Sequence, residues 1–400
     1  MNILQICNKS PYPPHEGGSM AMNAITEGLL SKGHQVKVLA ISSYKNPVNI
    51  SSFPESYVHS TQFESVFIDL KIRILPAFLN LFSHKSYHVQ RFISIDFENK
   101  LIDILQNNTF DIIQFETLFI TPYLSVIRKY SKAKIILRSH NIEHLIWERI
   151  SNETKNPLKK LYLNHLASTL KNYELSAIHK FDGILAITKN DSDFFNNAGC
   201  SNFLTDIPFG IEIENYNTYL PELSTDLFHI GAMNWIPNQQ GILWFLNNVW
   251  PLIHNELTDV NFYLAGRAMS DKLLHSNFPN VEILGEVDDA KNFMHSKAIM
   301  IVPLFSGSGV RIKIIEAMAM GKVVITTSIG AEGINCTHNE NIFIANTIEE
   351  FKNAVIDAVL NQEKRKYIAQ NARKLIEKEH NNHLITEKLI AFYQQIIKEV

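Results

Sequence analysis

The sequence predicts an α/β protein built from two doubly wound parallel-sheet domains, and three observations carry that prediction. Its 400 residues are too many for one ordinary core, so two domains of about 200 residues each are expected. Short apolar runs alternate with helical patterns along most of the chain, which is how parallel strands and their crossover helices are written. Each half also contains an apolar run that ends in a glycine-bearing loop and then enters a helix, the start of a βαβ unit.

The first such unit opens the chain. Asn2 to Cys7 reads as a buried strand, followed by NKSPYPPHEGGS with three prolines and then Gly17-Gly18. A helix is expected from Ser19 to about Ser31, stopped by Gly33 before the strand QVKVLAIS. Gly17 and Gly18 serve either a simple turn or a ligand at a strand's carboxyl end. Further strands are expected near Ser65–Leu70, Asp111–Phe115, Lys134–Arg138, Gly183–Ile187 and Asn202–Ile207.

The segment Lys71 to Phe92 differs in character, mixing Ile72, Leu75, Phe78, Leu79, Leu81 and Phe82 with Lys71, Arg73, Lys85 and Arg91. It reads as a helix pair packed on the sheet, the preferred reading, or as a surface resting on an anionic membrane.

PFGIEIENYNTYLPELST has little periodicity and reads as a linker, after which the alternation restarts. The strand DLFHIGAM, a helix from Pro237 to His254, the strands VNFYLAG and VEILG, and a helix from Asp288 follow in turn. The run KAIMIVPL then leads through Ser306, Gly307, Ser308 and Gly309 into a helical pattern and the strand VVITT. Helices near Ile348–Leu360 and Glu363–Lys378 and an amphipathic helix over His380–Val400 complete the chain. The boundaries drawn are residues 1–212 for the first domain and 213–382 for the second, with helix 383–400 crossing back to the first.

Composition removes several classes of function. A net charge of −3 and a pI near 6.6 argue against a nucleic-acid binder. Cys7, Cys200 and Cys336 form no metal-ligand spacing and read as core thiols of a reducing compartment. No apolar run reaches the roughly 18 residues of a spanning helix, and a strand rather than a leader opens the chain. A cytoplasmic chain is expected, at most peripheral at the inner face of the plasma membrane.

The loop at Gly307–Gly309 is the candidate site. Small residues let backbone N–H groups approach a ligand, and a helix N-terminus favours negative charge. Arg311 and Lys313 add positive charge, and Glu316 supplies a carboxylate able to accept from a diol. The competing reading is a tight turn followed by a solvated Lys313–Glu316 pair, three residues apart on one helix face. Asp191-Ser192-Asp193 spells a metal-binding D-x-D, but its place at a helix start fits N-capping and dipole compensation, and Asp288-Asp289 reads the same way. No metal is expected.

An ordered set of motifs gives these pieces a family resemblance. They are PPHEGG at Pro13–Gly18, RSHNIEH at Arg138–His144, ITKNDS at Ile187–Ser192 and IPFGIE at Ile207–Glu212. IGAMNWIPNQQGILWFLNNVWP at Ile230–Pro251, LAGR at Leu264–Arg267 and GSGVRIKIIEAMAMGKVVITTSIGAEGI from Gly307 continue the set. Over nearly its whole length the chain resembles GT-B glycosyltransferases, in particular glycosyltransferase family 4 in its bacterial surface-polysaccharide branch.

The resemblance implies two Rossmann-like domains facing across a cleft, with the donor held by the second. It places Gly17, Gly18, Asn234, Arg267, Val287, Ser308, Gly309 and Glu316 at the donor, Glu316 on the ribose and Val287 beside the base. His140 would lie near the transferred sugar, and Arg311 and Lys313 would neutralise the leaving diphosphate. Two departures stand out. Ser308 occupies the position of the family's first glutamate, and Trp235–Asn238 replaces a basic first loop, leaving Arg311, Lys313 and Arg267 as candidate diphosphate ligands.

The function implied is retaining, metal-independent sugar transfer from a UDP- or GDP-linked donor, without a further cofactor. The acceptor would be a growing glycan or a lipid-linked oligosaccharide. The rivals are a nucleotide-sugar 2-epimerase of the same fold and a non-catalytic nucleotide-binding partner subunit.

Overall fold

The computed structural model describes residues 1–217, 224–307 and 309–399. The chain folds as two compact units, residues 1–210 together with 382–400, and residues 211–381.

The first unit is a seven-stranded parallel sheet. Its strands are β1 Asn2–Cys7, β2 Gln35–Ser42, β3 Glu64–Phe67, β4 Ile112–Phe115, β5 Lys134–Ser139, β6 Gly183–Ala186 and β7 Phe203–Asp206. They lie in the order β3-β2-β1-β4-β5-β6-β7. Side chains alternate across this sheet, so both faces need cover. Leu4 and Ile6 of β1 enter one core with Phe97, Leu101 and Ile104 of helix Ile95–Asn107. Ile3 and Cys7 enter the other, with Met22, Ile25 and Leu29 of helix Gly17–Ser31.

That second core is closed by the last helix, Asn382–Lys398, through Ile385, Leu389, Phe392, Tyr393 and Ile396. Its close approach depends on two glycines. A Cβ on Gly28 would come within 2.1 Å of Thr386 Oγ1, and one on Gly183 within 2.5 Å of Ile396 Cδ1. Asn382 Nδ2 donates to the Ala24 carbonyl at 3.0 Å and fixes where the helix begins on its neighbour.

The second unit is a six-stranded parallel sheet of β8 Leu227–Ile230, β9 Phe262–Ala265, β10 Val281–Gly285, β11 Ile299–Val302, β12 Val323–Thr326 and β13 Phe343–Ile344. The order is β10-β9-β8-β11-β12-β13. The helix expected over Pro237–His254 is interrupted. Ile236–Trp244 and Trp250–Glu256 are α-helical, but Phe245–Val249 between them is a π turn. Pro251 has no N–H for the carbonyl of Asn247 and its ring crowds that turn, so the ladder widens there.

The segment Lys71–Phe92 is only partly packed. Helix Ile74–Asn80 and the turn Tyr87–Gln90 bury Ala77, Tyr87, Val89 and Phe92, while Ile74, Leu75, Phe78, Leu79 and Phe82 remain exposed.

Candidate functional site

In the second unit the strand order reverses at β8, with β9 and β10 to one side and β11 to β13 to the other. The crevice beyond the carboxyl ends of β8 and β11 is therefore the topological switch point, where open α/β sheets take their ligands. Two loops form its walls, residues 231–235 after β8 and, after β11, residues 303–307 and 309–311.

The walls are locked together by an aromatic contact. Gly307 sits at φ +111°, and a Cβ there would come within 2.8 Å of the Trp235 ring, so the loop lies flat on the indole. The Arg311 guanidinium stacks over that ring at 5.0 Å, and its Nη1 donates to the carbonyl of Gly309, itself at φ +82°. Helix Ile312–Ala319 then begins with no side-chain cap, and a helix N-terminus favours negative charge.

Glu316 lies one turn further in and is 3% exposed. The Tyr216 hydroxyl donates to Oε1 at 2.8 Å, and Lys313 Nζ is 2.6 Å from Oε2 in an ion pair. Burial, followed by the adjacent carboxylate, pushes the Tyr216 phenol well above its ordinary value, so it remains a donor. The structure thus commits Lys313 to Glu316, which leaves Arg311 as the cation stacked at the loop. A carboxylate oxygen has two acceptor sites, so Glu316 retains capacity for a ligand's hydroxyls.

The remaining second-unit candidates sit on strand ends tied by main-chain bonds. Gly266 N–H donates to the Gly285 carbonyl at 2.7 Å, and Met233 N–H to the Arg267 carbonyl at 2.9 Å. A Cβ on Gly266, at φ +155°, would strike the Gly231 carbonyl, so the loops after β8 and β9 touch main chain to main chain. The side chains of Asn234 and Arg267 are exposed on these loops, and Val287 is half-buried beyond edge strand β10. Ser308 lies outside the described residues.

His140, Gly17 and Gly18 belong to the first unit, whose own switch point lies between β1 and β4. Helix Gly17–Ser31 also opens without a side-chain cap. A Cβ on Gly18 would come within 3.1 Å of the Lys9 side chain, whose Nζ pairs with Glu16 at 2.9 Å.

His140 follows β5 and is 13% exposed, with Nε2 2.9 Å from Glu116 Oε2. Glu116 follows β4 and has no solvent exposure, yet four donors reach it. Gln5 Nε2 and Gln114 Nε2 each donate to Oε1 at 2.6 Å, and Arg138 Nη1 donates to Oε2 at 3.2 Å beside His140. Burial works to raise the Glu116 carboxyl, but Arg138 first and then His140 overcome it and hold the group at about 2. Burial, in turn, lowers the His140 imidazole below its ordinary value. An ionised carboxylate can only accept, so the neutral ring carries its proton on Nε2 and presents Nδ1 as an acceptor.

Glu116, Lys9, Tyr216 and Trp235 were not among the sequence-level site residues. Glu116 does leave a trace, as an acid directly after an expected strand, but its partners come from residues 5, 114, 138 and 140. The same unit holds a second buried pair. Glu174 accepts from the Glu143 and His144 amides at 3.0 and 3.1 Å and lies 2.7 Å from His144 Nδ1, capping helix Glu143–Glu153 from a neighbouring element.

The D-x-D segment resolves differently from its expected role in one respect. Thr188, rather than Asp191, caps helix Lys189–Asn197, accepting from the Asp191 amide at 3.1 Å, while Asp193 pairs with Lys189. Asp289 does cap its helix, accepting from Lys291 and Asn292. Among the described residues no group of three or more His, Cys, Asp or Glu side chains is arranged to hold a metal.

Comparison with known proteins points to the same fold. Residues 224–361 match the family model for glycosyl transferases group 1. An uncharacterised 44.6 kDa protein of the cps region of Klebsiella pneumoniae is 24% identical over 397 residues, covering 95% of this chain and 96% of that protein. The capsular polysaccharide biosynthesis glycosyltransferase CapM of Staphylococcus aureus is 27% identical over 207 residues, 48% of this chain and 54% of CapM. Among solved structures, Anabaena HepE in complex with UDP superposes with a TM-score of 0.67 at 15% identity, covering 99% of this chain and all of that one.

Proposed function

We propose, from the premise that this chain is a glycosyltransferase of GT-B fold with a group 1 domain in its second unit, that it transfers a sugar from a nucleotide-diphosphate donor with retention of configuration. The acceptor is a growing glycan or lipid-linked oligosaccharide of a cell-surface polysaccharide, taken up on the first unit while the second holds the donor. The chain works on the cytoplasmic side, peripheral to the membrane that carries such an acceptor; among the described residues no helix is long and apolar enough to cross one.

One observation carries the reading: an uncapped helix N-terminus and a buried, still accepting carboxylate, Glu316, meet at the switch point of the second sheet. Breaking a sugar–phosphate bond requires stabilising the charge on the departing diphosphate. The amides opening helix Ile312–Ala319 and the Arg311 guanidinium supply that stabilisation, and Glu316 takes the ribose hydroxyls. No step in this reading requires a metal. In the first unit, His140 Nδ1 accepts a hydrogen bond from a sugar hydroxyl, with Glu116 holding the ring in that tautomer.

The test is donor binding followed by turnover. Purified protein should bind UDP- or GDP-sugar, and Glu316→Ala should weaken that binding at least about tenfold, the loss of one charged hydrogen-bond partner. Unchanged affinity would remove Glu316 from the ribose. Accumulation of a second sugar nucleotide from donor alone would identify an epimerase instead. Binding without transfer to any acceptor would favour the silent subunit that Ser308 suggests.

A further inference from the structure

Within the first unit, helix Ile74–Asn80 turns its apolar side outward. Its inner side is firmly seated. The Arg73 amide donates to the Tyr87 hydroxyl at 3.1 Å, Ala77 packs with Tyr87, Leu163 and Leu166, and His165 Nε2 meets the Asn80 carbonyl at 3.0 Å. The outer side leaves Ile72, Ile74, Leu75, Phe78, Leu79 and Phe82 between 56% and 86% exposed.

The patch continues onto helix Pro157–Ala177. Leu161 and Leu158 lie one and two turns before His165 on the same stripe, and they are 68% and 79% exposed. Monomeric proteins seldom leave so large a contiguous apolar surface uncovered.

The two segments that carry the patch are basic. No Asp or Glu occurs between Asp69 and Asp96, or between Glu153 and Glu174, in a chain that carries 40 acidic residues. Those two stretches hold Lys71, Arg73, Lys85, Arg91, Lys155, Lys159, Lys160 and Lys171, with Lys71, Lys85, Lys155 and Lys159 exposed and Lys171 paired with Glu148. Arg73 pairs with Asp69.

We infer that this face is a docking surface for an anionic lipid bilayer, with Phe78, Leu79, Phe82 and Leu161 entering the headgroup boundary and the flanking lysines resting on acidic headgroups. Exposed aromatic and aliphatic side chains on segments rich in lysine suit such an interface. A second copy of the chain is a poor occupant, because a two-fold pairing of this face sets its lysines against each other. The inference gives a location to the membrane association proposed above and rests on that reading only for the lipid-linked acceptor.

The experiment is co-sedimentation of the full chain with vesicles of phosphatidylcholine alone and with about 30 mol% phosphatidylglycerol, at low and at physiological salt. Strong binding to the acidic vesicles is expected, at least about tenfold over the neutral ones and reduced by salt. Phe78→Ser with Phe82→Ser, and separately Lys155→Glu with Lys159→Glu, should each lower it about tenfold. All four side chains are at the surface, and an unchanged melting temperature and unchanged nucleotide binding check that the variants are folded.

Equal binding of variants and parent would overturn the assignment. So would a concentration-dependent dimer that the Phe78→Ser/Phe82→Ser change abolishes in the absence of vesicles. Vesicle binding needs no donor, so its failure leaves the donor site standing, and failure of donor binding leaves the surface standing.

Discussion

Glu116 is the residue that most constrains the first unit. A carboxylate without solvent contact is tolerated because four donors converge on it and Arg138, itself 1% exposed, balances its charge. Replacing it by Gln keeps the size but leaves Arg138 as an uncompensated buried cation, so Glu116→Gln should cost about 3–5 kcal/mol in urea denaturation. The pH dependence has a definite sign. Glu116 falls from an ordinary 4.5 to about 2 on folding, so its contribution is present above pH 4.5 and is lost as pH falls toward 2. The lowered His140 value acts in the same direction, because protonating that ring below its ordinary 6.5 favours the unfolded chain.

Glu116→Gln should flatten the acid limb of the stability curve. It should also release the His140 tautomer, which nitrogen NMR of the imidazole reads directly. An unaltered tautomer in the variant would separate Glu116 from the orientation of the ring.

Elements in this chain are held by backbone proximity as much as by apolar area. Gly28 costs helix Gly17–Ser31 some propensity, about 1 kcal/mol relative to alanine in an exposed helix. Its absent side chain, however, lets helix Asn382–Lys398 cross at contact distance. Gly28→Ala is therefore expected to destabilise by about 1–3 kcal/mol through overpacking, in spite of alanine's better propensity. Combining it with Thr386→Ala should recover part of the loss in a double-mutant cycle. Simple additivity would show that the contact is not what sets the crossing.

The loop after β11 follows similar logic. Gly307→Ala meets both a positive φ and the Trp235 ring, and should weaken nucleotide binding more than global stability, as measured by calorimetry and thermal melting on one sample.

The sequence made these elements legible to different degrees. The amphipathic period of His380–Val400 announces a helix, but its partner depends on Gly28, which reads locally only as a weak spot. Lys313 and Glu316 are three apart in one helix, so their pairing could be anticipated as one of two readings, and the structure shows it. Apolar periodicity predicts one continuous helix over Pro237–His254, because it does not register the π turn that Pro251 imposes.

At the scale of the whole molecule, two parallel sheets with reversing strand order place uncapped helix N-termini after a first or central strand. Alternation of apolar runs and helical patterns is enough to read that architecture, because parallel strands buried on both faces carry it in every segment. The Glu116 network was not legible, since Gln5 and Glu116 are 111 residues apart and meet only once β1 pairs with β4. The exposed face over Lys71–Phe92 lay between. Its composition is evident in the sequence, but which side chains point outward depends on Tyr87 and His165 seating the helix from beneath.

The switch point of the second sheet is proposed to hold an activated sugar by its diphosphate and ribose. A crystal structure with UDP or GDP tests this most directly. Phosphate oxygens are expected on the amides from Gly309 into helix Ile312–Ala319, with the Arg311 guanidinium turned toward them and both ribose hydroxyls on Glu316. A nucleotide bound away from the loops after β8 and β11, with Glu316 still engaged only by Tyr216 and Lys313, would contradict it.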